Sequence, residues 1–241
     1  MKKYIFILII SLFAIHTNAQ NPRISYSINS DWEFHKGELS EEKTNEWQSI
    51  SIPHTWNTKD AFDDKPGYYR GIGIYKKSIF FPEKDKNKSI AISFDGANQE
   101  TAIFVNGVSI GSHKGGYTAF SFPITKEIKF GENNEILVKV TNAFDENIPT
   151  LKADFTFFGG IYRDVFIEKM NLVHFNNSKY GGKNVLISTP KISKETASIQ
   201  FKGQVLNESS STKKIEIYFQ KTLLDIISFK SRKSSFGKWR I

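Results

Sequence analysis

"ETAIFVNGVSIGS", Glu100 to Ser112, decides the fold class. Apolar and polar residues alternate on both sides of Asn106-Gly107, which is the period-two pattern of a half-buried strand. Asn-Gly supplies the two positive φ angles of a type I′ turn, whose twist matches the strands it joins. A lone hairpin is marginal in water, so further strands must cover its apolar side.

The flanking sequence supplies them. "GIGIYKKSIFF" (71–81) reads as a strand ended by Pro82, and "PEKDKNK" as the charged loop after it. "SIAISFDG" (89–96), "YTAFSFPI" (117–124), "NEILVKVTN" (134–142) and "GGIYRDVFIEK" (159–169) continue the series, with a turn at Gly131-Glu132-Asn133-Asn134 leading into "NEILVKVTN". No amphipathic helix longer than a turn or two is present in the pattern. Short strands at regular spacing, with turn chemistry between them, predict an all-β sandwich or jelly roll.

Beyond Met170 the texture changes. Strands are expected at about 184–189, 196–206 and 213–220, separated by polar loops. They read as the start of an immunoglobulin-like sandwich, which needs about seven strands. From Leu223 the alternation fades and the chain turns basic. The expected layout is a leader over 1–19, a jelly roll over 20–169, a partial immunoglobulin-like sandwich over 170–228, and an irregular basic tail over 229–241.

The leader, "MKKYIFILIISLFAIHTNA", has two lysines, an apolar run and a small-residue end, the three-part layout of a secretory signal cleaved after Ala19. Its apolar run is shorter than the ~20 residues a membrane span needs. Export to a periplasmic or extracellular destination is therefore expected. The chain has no cysteine, so disulfides cannot stabilise it there.

The formal charge of +8 is not a nucleic-acid signature. Lys2 and Lys3 contribute two of it, and Lys230, Arg232, Lys233, Lys238 and Arg240 contribute five, leaving +1 for everything between. A nucleic-acid surface needs its cations on a folded face.

Taken together, "SISIPHTWN" (49–57), "GYYRGIGIYKKSIFFPE" (67–83), "FDGANQETAIFVNGVSIGSHKGGYTAFSFPIT" (94–125), "NEILVKVTN" (134–142) and "DFTFFGGIYRDVFIE" (154–168) resemble the N-terminal, galactose-binding-like jelly roll of glycoside hydrolase family 2. That family contains β-galactosidases, β-glucuronidases and β-mannosidases. The combination of "VNG…G.H.GGY..F" with "GGI.R.V" carries the resemblance. It implies that the catalytic pair of glutamates, acid/base and nucleophile of a retaining mechanism, belongs to a (β/α)₈ barrel that typically takes ~250 residues. No catalytic residue is assigned here, and the chain is expected to be a truncated, inactive N-terminal portion.

The resemblance also gives Asp154 a role: a carboxylate that accepts hydrogen bonds from sugar hydroxyls. In some relatives the equivalent aspartate helps to hold a sodium ion; no other cofactor is implied. The bland alternative is a loop aspartate capping a turn. Asp63, Asp64 and Tyr68, in the loop "NTKDAFDDKPGYYRG" (57–71), are the other substrate-binding candidates.

Arg163 and Asp164 suggest a structural ion pair, and Gly159 and Gly160 a close approach or positive φ. Phe155, Phe157 and Phe158 could form a sugar platform, with at least two of them expected to pack inward. His54 and Trp56 are expected to brace the strand exit, and His113 to be a hydrogen-bonded structural residue. The scattered histidines give no zinc spacing, and neither a phosphate loop nor a Ser-His-Asp set is present.

The implied partner is a carbohydrate of the β-galactoside or β-glucuronide class, with no membrane span and an oligomer possible. A stand-alone secreted carbohydrate-binding module is the alternative, and a structural role in oligomer contacts a third.

Overall fold

The computed structural model describes residues 23–40, 46–64, 67–148, 155–177, 185–219, 222–229 and 233–240. The leader at 1–19 and Asp154 lie outside the described residues. Among those described, strands dominate and helix is confined to two short 3₁₀ turns, Asp60–Phe62 and Glu83–Asp85. None of the described helices is long and apolar enough to cross a membrane.

Ten strands build the first sandwich: β1 (Arg23–Ser27), β2 (Trp32–Lys36), β3 (Gln48–Ile50), β4 (Ile72–Phe81), β5 (Lys88–Phe94), β6 (Glu100–Val105), β7 (Val108–Lys114), β8 (Phe120–Pro123), β9 (Glu132–Thr141) and β10 (Val165–Asn171). One antiparallel sheet runs β1-β10-β5-β8 and the other β3-β2-β4-β9-β6-β7. The first and last strands of this sandwich, β1 and β10, are therefore neighbours in one sheet, as a jelly roll requires.

The core lies between the sheets. Along β9, Asn134, Ile136, Val138 and Val140 point inward at period two. Trp32, Tyr75, Phe81, Phe94, Ile90, Ile92, Ile103 and Ile167 are fully buried around them. Phe94 stacks on Phe120 with centroids 4.9 Å apart, and Phe120 on His113 at 4.1 Å. Burying large apolar side chains is worth about 1.5–3 kcal/mol each, so this layer supplies the cohesion that disulfides cannot.

The hairpin forms as its sequence dictates. Asn106 has φ 50 and Gly107 φ 78, and Val105 pairs with Val108 across them. Two boundaries differ from expectation. Strand β9 begins at Glu132, because the buried Asn134 amide replaces a longer turn: it accepts from Lys129 N at 2.7 Å and donates to Lys129 O and Glu132 O, both at 2.9 Å. Strand β10 begins only at Val165, and "GGIYRD" (159–164) before it is not a strand. Gly160, at φ +124, breaks the extended backbone there and makes only an isolated bridge to Asn98.

A second unit follows from Val173. Its strands are β11 (Val173–Phe175), β12 (Val185–Ile192), β13 (Ala197–Asn207), β14 (Lys213–Phe219), β15 (Thr222–Phe229) and β16 (Lys233–Arg240). Strand β13 is the hub, pairing β11, β12 and β16, while β14 and β15 form a separate ribbon. Phe201 and Val205 are buried on β13, whereas Ile187 and Ile192 on β12 are exposed.

The stretch expected to be an irregular basic tail contains β16, in antiparallel register with β13 from Gln200↔Arg240 to Asn207↔Lys233. Backbone pairing to an open edge needs no particular side chains, so a sequence without alternation can still complete a ladder.

Candidate functional site

At one end of the first sandwich, the segment 155–162 meets three other connections, and asparagine amides hold the assembly. Asn142 is fully buried at the end of β9. Its Nδ2 donates to Phe157 O at 3.1 Å and Tyr69 O at 3.2 Å, and its Oδ1 accepts from Gly71 N at 2.8 Å. Asn57, 2% exposed, donates to Tyr69 O at 2.9 Å and accepts from Gly159 N at 2.7 Å. Asn98 donates to Phe158 O at 2.7 Å, while its backbone N–H donates to Gly160 O at 2.9 Å.

These bonds tie the 57–71 loop to the aromatic tract across about a hundred residues of sequence. Irregular backbone can be buried only if its polar groups are paired, and the three amides do that pairing.

The glycines are required by contact. A Cβ on Gly159 would lie 2.1 Å from Trp56 Cζ2, and one on Gly160 would lie 2.6 Å from His54 O and 2.7 Å from Tyr75 Oη. Trp56 is buried and stacks near Phe34 at 6.0 Å; its indole N–H has no partner among the described residues. His54 Nδ1 lies 2.9 Å from Tyr75 Oη, which also accepts from Ile161 N at 3.3 Å. Burial holds the His54 imidazole below its usual pKa and pushes the Tyr75 phenol up. Both residues are therefore neutral struts. His113 is equally structural, with Nε2 3.2 Å from Thr118 Oγ1.

Against this frame lies a hollow of about 460 Å³, lined by Thr55, Asn98, Tyr117, Phe155, Phe158 and Tyr162 among others. Tyr162 is fixed by donating to Gly116 O at 2.5 Å. Phe157 packs inward at 7% exposure, but Phe155 at 60% and Phe158 at 48% face solvent. One phenylalanine of the three is core rather than at least two, because the amides anchor the backbone and leave the flanking rings outside.

The expected Arg163–Asp164 ion pair is likewise not found among the described residues. Asp164 accepts from Asn29 Nδ2 at 2.8 Å, while the exposed Arg163 lies over the Tyr162 ring at 5.4 Å.

Asp63 and Asp64 are exposed, just after the Asp60–Phe62 turn, and do not line the hollow. Asp64 takes φ 55. The acid that organises this loop is instead Asp60. Its Oδ2 accepts from Asn57 at 2.6 Å and Tyr69 N at 2.8 Å. Burial opposes its ionisation, but these bonds and the Lys36 charge outweigh it and hold the carboxyl below the usual range.

Tyr68 sits beside Arg70, which also lies over Phe144 at 5.7 Å and Phe157 at 5.9 Å. No group of three or more His, Cys, Asp or Glu among the described residues could hold a metal ion.

The missed residues are mostly amides: Asn57, Asn98, Asn142 and, with them, Arg70. No local pattern in the sequence marks them; Asn142 is the one that closes an alternating run, "VKVTN".

Comparison with known proteins bears on what such a site handles. The family model for glycosyl hydrolases family 2, sugar binding domain, matches residues 25–171. A β-glucuronidase of Bacteroides fragilis is 34% identical over 203 residues, covering 84% of this chain and 28% of the relative. A β-galactosidase of Bacteroides ovatus is 28% identical over 212 residues, covering 82% of this chain and 23% of the relative. The crystal structure of a Bacteroides uniformis β-glucuronidase superposes with TM-score 0.80 at 37% identity, over 90% of this chain and 27% of that one. The chain thus spans about a quarter of the length of the relatives it matches.

Proposed function

This chain belongs to glycoside hydrolase family 2, and we propose that it is the non-catalytic, sugar-binding portion of an exported β-glycosidase. The observation that carries this is the family match over residues 25–171, the stretch whose loops gather around the aromatic hollow. In this reading the hollow and Asp154 position a glycoside, and the two catalytic carboxylates are supplied by sequence outside the matched region.

Exposed rings suit the task. A sugar's C–H face stacks on an aromatic plane, while amide and hydroxyl groups such as those of Asn98, Thr55 and Tyr117 orient its hydroxyls. Export follows from the leader, with the mature chain starting at Gln20.

The purified mature chain, from Gln20 onward, is expected to bind methyl β-glycosides with Kd near 1 mM, which corresponds to only ~4 kcal/mol. It is expected not to hydrolyse nitrophenyl β-galactoside or β-glucuronide. Phe155→Ala/Phe158→Ala should abolish the binding with the fold intact, since both rings are exposed. Turnover by mass-verified protein, or binding unchanged in the double variant, would refute the reading.

The two exposed rings also support a second reading, a stand-alone carbohydrate-binding module. That reading requires affinity well below millimolar without any further domain.

A further inference from the structure

Arg70 is placed as an anion receptor would be. Its Nε donates to Asn142 O at 3.0 Å, which fixes the guanidinium plane to the buried amide brace. Three rings surround it within 6.0 Å: Tyr68, Phe144 and Phe157. No carboxylate among the described residues lies in ion-pair range, and Nη1 and Nη2 have no protein partner there. Phe157 is shared between this cage and the 460 Å³ hollow, so the free edge of the guanidinium belongs to the same end of the sandwich.

A guanidinium's planar fork matches a carboxylate or a sulfate in bidentate geometry. The rings stabilise the cation, yet they cannot accept the Nη hydrogen bonds. The nearby acid of the same loop is committed elsewhere: Asp60 faces Asn57, Tyr69 N and Lys36.

We propose that Arg70, caged by Tyr68, Phe144 and Phe157, binds the anionic substituent of an acidic sugar, a uronate carboxylate or a sulfate ester. This rests on the sugar-binding reading above and narrows it: the glycan taken at this site is acidic rather than neutral. Arg70 thereby becomes a specificity-determining residue contributed by the first sandwich.

The test is an NMR titration of the ¹⁵N-labelled chain with methyl β-glucuronide, methyl β-glucoside and the 6-sulfate of methyl β-glucoside. The Arg70 Nε–H signal reports the site directly. Either acidic ligand is expected to bind about tenfold more tightly than the neutral one, about 1.4 kcal/mol, and to shift that signal. Whichever acidic ligand binds more tightly identifies the source of the anion. Arg70→Gln should bring acidic and neutral sugars to equal affinity with the neutral sugar's own affinity retained, and Arg70→Lys should retain part of the preference. The preference should also weaken with added salt.

Equal binding of neutral and acidic sugars by the unaltered chain would overturn this proposal and leave the sugar-binding reading standing. So would a loss in Arg70→Gln that affects both equally, since that is the signature of a merely structural arginine. No binding of any sugar up to about 100 mM, a free energy near 1.4 kcal/mol, would overturn both.

Discussion

Removing the Asn142 side chain amide should cost more than any single exposed residue of the site. Asn142→Ala leaves Phe157 O and Gly71 N unpaired, while Tyr69 O keeps its bond from Asn57 at 2.9 Å. Two buried backbone groups at about 1–3 kcal/mol each give a destabilisation of about 4 kcal/mol. For a domain of this size, that is a fall of roughly 8–16 °C in Tm, or about 2 M in the urea midpoint at an unchanged slope. The jelly-roll transition can be followed by the fluorescence of the buried Trp32 and Trp56.

Asn142→Leu separates volume from hydrogen bonding. It fills the same space without donors or acceptors, so it should be about as unstable as the alanine variant. A loss below about 1 kcal/mol in Asn142→Ala, or substantial rescue by leucine, would refute the idea that amide pairing holds the site together.

Two further outcomes follow from named positions. Gly160→Ala combines a φ of +124 with collisions against His54 O and Tyr75 Oη, and should cost at least about 2 kcal/mol by denaturant titration. Gly107→Ala, at φ +78 in open space, should cost only about 1 kcal/mol of backbone strain. Equal losses at the two positions would contradict the close-packing account.

Stability should also depend on acidity. Burial holds His54, His113 and His174 below the ordinary value of 6.5. As pH falls below 6.5, the unfolded chain takes up protons that the folded chain resists, so stability is full above 6.5 and declines on acidification. His54→Gln should flatten part of that slope in urea melts at successive pH values; an unchanged slope would exclude His54 as a contributor.

The sequence alone carried the first sandwich's central strands, because alternation and Asn-Gly are local signals whose physics needs no tertiary context. Strand β4, the β6–β7 hairpin and β9 sit within a few residues of where alternation places them. Family membership was legible for a similar reason, in motifs such as "VNG" and "GGIYR" whose residues are demanded by turns and close approaches. Strand β16 was not legible, since an open edge accepts any backbone and leaves no side-chain pattern to read.

The site was divided in the same way. The sequence identified the loop at 57–71, the aromatic tract and the paired glycines. Only the tertiary structure decided that Phe155 and Phe158 face out while Phe157 packs in, that Asp164 answers to Asn29 rather than Arg163, and that Arg70 stands among three rings with no carboxylate in ion-pair range among the described residues. Each outcome is set by partners far away in the chain, as when Asn57 meets Gly159. Hydrogen bonding of irregular backbone depends on which loops fold side by side, and no local periodicity encodes that.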